Sequence, residues 1–254
     1  RYRQLHQFGV EALGSNSALI DAEVIALGSA IINGLGIKNV RVRLNSLGDA
    51  ESRERYKEVL VKYFSNYKND LCEDCLNRLE KNPLRILDCK IDKDKDFFKA
   101  SPKIKDYLNE ESKNRFEEVK KALDSLNIKY VVDDNLVRGL DYYSHTVFEL
   151  EVDIDELGNQ NVIGAGGRYD NLVSDLGGPN TPGVGMAFGI ERLLLTTELI
   201  GKKLDQKPFN HIYLIALGKR AQEECFKLMN ILRLGGLSCE MDYQASSLKS
   251  QFKK

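Results

Sequence analysis

The feature that most limits the fold is a run of strand-like segments with few helices between them. Segments 128–132, 146–152 and Val162-Ile163 follow one another across turn residues such as Gly158-Asn159. Strands that neighbour strands favour an antiparallel sheet over a doubly wound parallel one. Upstream, Val40, Val42 and Leu44 alternate with Arg41 and Arg43, the pattern of a half-buried strand. Ahead of it, Ile20, Val24, Leu27, Ile31 and Leu35 recur at helical spacing, and Gly34 and Gly36 mark the stop. A first strand is expected from Arg1, where Tyr2, Gln4 and His6 alternate with Arg3, Leu5 and Gln7. The expected class is therefore α+β, an antiparallel sheet flanked by helices.

Residues 49–127 change texture to charged helices broken at Asn82-Pro83 and Ser101-Pro102. They read as an inserted helical module that splits the sheet domain into 1–48 and 128–205. From 206 the pattern resets: an apolar strand at 212–217, a helix over 220–234, Gly235-Gly236, and a second strand near Ser238. This is the opening βαβ unit of an α/β domain over 206–254. Both ends read as cut, since the chain starts at Arg1 without Met and stops just after a new unit begins.

A net charge of −1 over 254 residues carries no footprint of a dedicated nucleic-acid binder, so any such contact must be local. No apolar run approaches a membrane span and no signal peptide is visible, so a cytoplasmic protein is expected. The five cysteines read as reduced thiols. Cys72-Glu-Asp-Cys75 with Cys89 offers three thiolates without a fourth ligand, and His6 and His145 are remote in sequence, so no metal site is expected. The runs 92–96 and Lys120-Lys121 read as solvated faces.

Four segments carry chemistry. In 1–11, Arg1, Arg3, Gln7, Gly9 and Glu11 share one strand face, a floor suited to a zwitterion and a phosphate or simply a solvated surface. In 136–149, Arg138, Gly139, Asp141, Tyr142 and Tyr143 crowd one short stretch. An Arg138–Asp141 ion pair and packing tyrosines explain either pair, but less well the whole set around a glycine. In Gly164-Ala-Gly-Gly-Arg-Tyr-Asp170, three glycines at a strand end permit close backbone approach or a tight turn. In 183–195, a glycine-spaced strand enters a helix whose first turn holds Arg192, which suits anionic oxygens.

Taken in order, these segments resemble the catalytic core of histidyl-tRNA synthetase, a class II aminoacyl-tRNA synthetase. Segment 1–11 is similar to the second half of motif 2, 183–195 to motif 3, and 136–149 and 164–170 to the two histidine signatures. The resemblance extends to Asn82-Pro-Leu-Arg-Ile-Leu-Asp-Cys89 in the inserted module. It implies ATP-dependent activation of L-histidine to histidyl-adenylate, with Mg²⁺ brought by ATP and no permanent cofactor. Transfer to tRNA(His) follows, by a homodimeric parent with an anticodon-binding C-terminal domain. Residues matching the family's motifs then take these roles: Gln7, Glu11, Tyr142, Tyr143 and Tyr169 for histidine, Arg138 for the reacting carboxylate and α-phosphate, and Arg1, Arg3 and Arg192 for ATP. Gly164, Gly166, Gly167, Gly183 and Gly185 would wall the pocket, and Gly139 would let Arg138 and the tyrosines share one turn. Asp141 would orient neighbours. Motif 1 should lie upstream of Arg1, so this segment alone is expected to be inactive. The alternative is a synthetase-like regulatory subunit that binds histidine or tRNA without catalysis.

Overall fold

The computed structural model describes residues 4–38, 40–202 and 211–253, so Arg1 and Arg3 lie outside the described residues. Two compact units result, Arg1–Lys202 and Lys203–Lys254.

The first unit is built on a six-stranded sheet, with β1 Gln7–Leu13, β2 Val40–Ser46, β3 Tyr130–Val132, β4 Ser144–Val152, β5 Val162–Arg168 and β6 Gly183–Gly189. Their order across the sheet is β1-β6-β5-β4-β2-β3. Every pairing is antiparallel except β2 with β3, which is parallel. β1 starts later than its alternation suggests. Gln4 to His6 run past Gly189, the last paired residue of β6, and His6 instead grips the start of the next helix. β5 is longer than expected: the glycine run lies inside it rather than in a turn beyond it.

The helices are α1 Ala18–Gly34, α2 Ala50–Ser65, α3 Glu73–Lys81, α4 Asp96–Lys99, α5 Glu110–Ser125, α6 Leu172–Asp175 and α7 Ile190–Leu199. Side-chain caps set three of their starts: Ser17, Asp49 and Asn109 accept backbone N–H bonds from Leu19, Ser52 and Ser112 at 3.2, 2.8 and 2.8 Å. Asn109 also donates to Asp49 at 2.8 Å, which locks the starts of α5 and α2 together.

Two hydrophobic cores lie on opposite sides of the sheet. Phe148, Leu150, Met186 and Phe188 turn inward against α1, and α5 packs there too through Val119 and Leu123. By packing, then, α5 joins the sheet's own core although it falls within the expected insertion. Val147, next to Phe148 on β4, belongs to the second core with Leu47, Tyr56, Phe64, Phe98 and Leu136. Alternation along one strand thus feeds both cores. A buried ion pair ties α1 to the sheet: Arg168 Nε donates to Asp21 Oδ1 at 2.9 Å, Thr146 donates to Asp21 Oδ2 at 2.6 Å, and both charged residues are 0% exposed.

The second unit holds β7 His211–Leu214, α8 Lys219–Leu234, β8 Ser238–Met241 and α9 Leu248–Gln251. β7 and β8 are parallel, as a βαβ unit requires, and Met229, Cys239 and Met241 form its core. No helix among the described residues is long and apolar enough to cross a membrane.

Candidate active site

Strand register builds the site. Gly9, Ala187, Ala165, Glu149 and Arg43 form one row across β1, β6, β5, β4 and β2. Glu11, Gly185, Gly167, Val147 and Asn45 form another row on the same face. Small residues in the middle and charged ones at the margins leave a trough across the sheet. Glu11 stands at one margin and Arg43 with Glu149 at the other.

A continuous chain of contacts closes one end of this trough. The Tyr169 hydroxyl donates to Glu11 Oε2. The Tyr169 ring meets Tyr142 edge-on at 5.8 Å between centroids, and Tyr142 lies 4.5 Å from Tyr143. The Arg138 guanidinium sits 5.9 Å over the Tyr143 ring, and Arg138 Nη1 donates to Glu149 Oε1 at 2.7 Å. Glu149 Oε2 accepts from Arg43 at 3.0 Å. Arg138 Nε is buried without a hydrogen-bond partner, a donor in reserve. Burial pushes the Tyr142 and Tyr169 hydroxyls up, helped by the Tyr143 and Glu11 hydrogen bonds respectively, so both remain proton donors at neutral pH. Burial likewise raises Glu149 above the ordinary glutamate range, although Arg138 and Arg43 pull it down.

The glycines divide into two groups. A Cβ on Gly185 would lie 1.7 Å from Glu11 Oε2, one on Gly167 2.8 Å from the Tyr143 ring, and one on Gly183 2.4 Å from the Tyr169 ring. These three make room for the Glu11, Tyr143 and Tyr169 side chains. The expectation that Gly164 and Gly166 also wall the pocket needs correction. Their missing side chains point to the core face, toward Phe188 and Met186, where strand packing needs the space. Gly139 also differs from expectation, because its φ is not left-handed and a Cβ there would meet nothing within 4 Å.

The signature turn is held from outside instead. Asn82 donates to the Asp141 carboxylate, Arg53 of α2 donates to the carbonyls of Asp141 and Tyr143, and Asn45 donates to Leu136 O at 3.0 Å. Asp141 therefore does not pair with Arg138, whose carboxylate partner is Glu149.

Gln7 is exposed opposite Gly189. Arg192 reaches the same face at that end: its Cδ lies 3.8 Å from where a Gly189 Cβ would be, and its Nη1 donates to Val162 O at 2.6 Å. Glu191 pairs elsewhere, with His6 Nδ1 at 2.6 Å. His145 takes no part in the trough. It sits at an irregular register of β4 with φ 46° and lines a separate cavity of about 830 Å³ with Arg115 and Asp170.

Sequence reasoning missed Glu149, Arg43, Arg53 and Asn82. Glu149 and Arg43 were visible as polar positions on alternating strands, but register decides which face they share. Nothing local in the sequence signals Arg53, and the Asn82–Cys89 stretch carried a resemblance without a role; both residues act from the inserted segment.

The family model described as histidyl-tRNA synthetase matches residues 1–193. The histidine–tRNA ligase of Geobacillus kaustophilus is 48% identical over 253 residues, and that of Bacillus subtilis 47%; all of this chain is covered in each case. The chain spans 59% and 60% of those two relatives' own lengths. Among solved structures, apo S. aureus histidyl-tRNA synthetase superposes with a TM-score of 0.69 at 42% identity, over 99% of this chain and 62% of that one. The collinear motifs, the trough and these relatives lead to one assignment: this chain belongs to the histidyl-tRNA synthetase family.

Proposed function

We propose that this chain carries the histidine-activating centre of a histidine–tRNA ligase. The supporting observation is the unbroken run Glu11–Tyr169–Tyr142–Tyr143–Arg138 at one end of a trough floored by small residues. A neutral imidazole has one N–H donor and one bare acceptor nitrogen, so a selective pocket needs an acceptor and a donor, which a carboxylate and a hydroxyl supply. Glu11 serves as acceptor and a Tyr142 or Tyr143 hydroxyl as donor, with Tyr169 fixing the Glu11 carboxylate. Gln7 takes the α-amino or carboxylate end.

The reacting groups follow along the sheet. At roughly 3.3 Å per residue, Val162, which anchors Arg192, lies about 16 Å along β5 from Gly167, where Tyr143 packs. ATP would extend over that distance, with Arg192 on its outer phosphates and Arg138 near the α-phosphate. The histidine carboxylate oxygen attacks the α-phosphorus and pyrophosphate leaves. The tRNA 3′-terminal hydroxyl then attacks the activated carbonyl, releasing AMP. No side chain acts as a nucleophile; Arg138 offsets the charge of two anions brought together. Mg²⁺ arriving with ATP would supply further charge neutralisation. Arg1 and Arg3 assist at the phosphates. The parent is read as a cytoplasmic homodimer acting on tRNA(His), with 206–254 opening the anticodon-reading domain.

The test is histidine-dependent ATP–pyrophosphate exchange by the protein at its relatives' full length. Exchange that requires histidine and falls in Arg138→Ala supports the reading. Histidine binding without exchange would instead favour the regulatory alternative.

A further inference from the structure

Cys72, Cys75, Cys89 and Asp92 converge in the second core, and one ligand atom from each lies within 4.8 Å of all the others. Asp92, expected on a solvated face, is 0% exposed, and Cys75 and Cys89 are buried with it. The geometry points to a structural zinc site, closed to water, in which three thiolates and the Asp92 carboxylate complete a tetrahedron.

Three observations support this. First, Cys72 Sγ and Cys89 Sγ are 3.7 Å apart. Zn–S bonds of about 2.3 Å in a tetrahedron put neighbouring sulfurs about 3.8 Å apart, whereas a disulfide requires about 2.05 Å. Second, the ligands come as two pairs at zinc-like spacing. Cys72 and Cys75 span the start of α3, and Cys89 and Asp92 span the loop after the 3₁₀ turn Pro83–Asp88. Third, backbone donors already orient two of the ligands. The Asp92 N–H donates to Cys89 Sγ at 3.3 Å and the Cys72 N–H donates to Asp92 Oδ2 at 3.0 Å, which orients the carboxylate.

Asp92 also leaves one oxygen open to a cation. Lys95 Nζ lies 2.8 Å from Asp92 Oδ1, yet that oxygen makes no well-directed hydrogen bond. Among the described residues, the half-exposed Lys95 ammonium is the counter-ion of this buried carboxylate. Zinc neutralises it and accepts the three thiolates at once, being indifferent to d-electron geometry and soft enough for sulfur. The metal-free rival is a set of protonated thiols donating weakly to Asp92.

Zinc here would staple the start of α3 to the Cys89–Asp92 loop. Asn82, the residue that ends α3, bonds Asp141 in the signature turn, so the staple also steadies one support of the site.

The experiment is metal analysis of the chain expressed with zinc supplementation and purified without chelators. About one zinc per chain is expected. Replacement by Co²⁺ should give tetrahedral d–d bands with thiolate-to-metal charge transfer, lost in Cys89→Ser. Asp92→Asn keeps the volume and should weaken zinc in a chelator competition by about tenfold or more. Zinc well below stoichiometric, together with no cobalt charge-transfer band, overturns the site. So does a Cys72–Cys89 disulfide as the stable form of the zinc-supplemented protein. Because cobalt is read on the unmutated chain, a variant that fails to fold leaves the test intact.

Discussion

Arg138 and Glu149 form an ion pair at 2.7 Å, and the same carboxylate is held by Arg43 at 3.0 Å. The guanidinium is thus held between this carboxylate and the Tyr143 ring before any substrate arrives. Arg138→Lys keeps the charge but loses the fork, and exchange should fall by roughly 10²–10³. Histidine affinity, measured by calorimetry, should stay within a few-fold. Unchanged exchange would remove Arg138 from the chemistry.

Glu149 titrates against its burial. Its folded pKa is raised above that of an ordinary glutamate, chiefly by desolvation, so the folded state holds this proton more tightly than the unfolded chain does. Its contribution to stability is therefore greatest below the ordinary glutamate pKa and declines as pH rises through the raised value. Denaturation of the chain and of Glu149→Gln across that window should show the unmutated chain losing stability relative to the Gln variant as pH rises. A gain of the unmutated chain over the Gln variant with rising pH would mean the two arginines outweigh desolvation.

Gly185 and Tyr169 both act on Glu11. A methyl at 185 would collide with the flexible end of Glu11 rather than with backbone, so Gly185→Ala should fold almost normally while displacing the carboxylate. Tyr169→Phe removes the hydroxyl that orients it. Each should weaken histidine binding by about tenfold to a hundredfold, the cost of a hydrogen bond to a charged group. Thermal melting separates this from unfolding. Full histidine affinity in both variants would place imidazole recognition elsewhere.

The Asp21–Arg168 pair is structural. Asp21→Ala would leave a fully buried guanidinium short of its main counter-charge and should cost about 3–5 kcal/mol in chemical denaturation. A loss below about 1 kcal/mol would show that Asp170, 2.8 Å from Arg168, suffices alone.

Periodicity made much of this fold legible. The stripe from Ile20 to Leu35 became α1, the alternation of Val40 to Leu44 became β2, and the reset near 206 became a parallel βαβ unit. These signals are local, a matter of which side of an element meets the core. What escaped was long-range. Tyr169 meets Glu11 across 158 residues of sequence, and only the pairing of β1 with β6 and β6 with β5 brings them together. The glycine run looked like a turn because flexibility and close packing call for the same residue. Asp92 looked solvated because a charged letter in a charged run says nothing of the three sulfurs beside it.

Val147 and Phe148 are adjacent on β4 yet serve different cores. That strand is a party wall: trimming the segment between β2 and α5 would strip the plaster from one side. The loss would begin at Val147 and Leu136 and reach the signature turn, whose outer supports Arg53 and Asn82 would go with it. The geometry of the trough and the inserted segment therefore have to be inherited as a single piece.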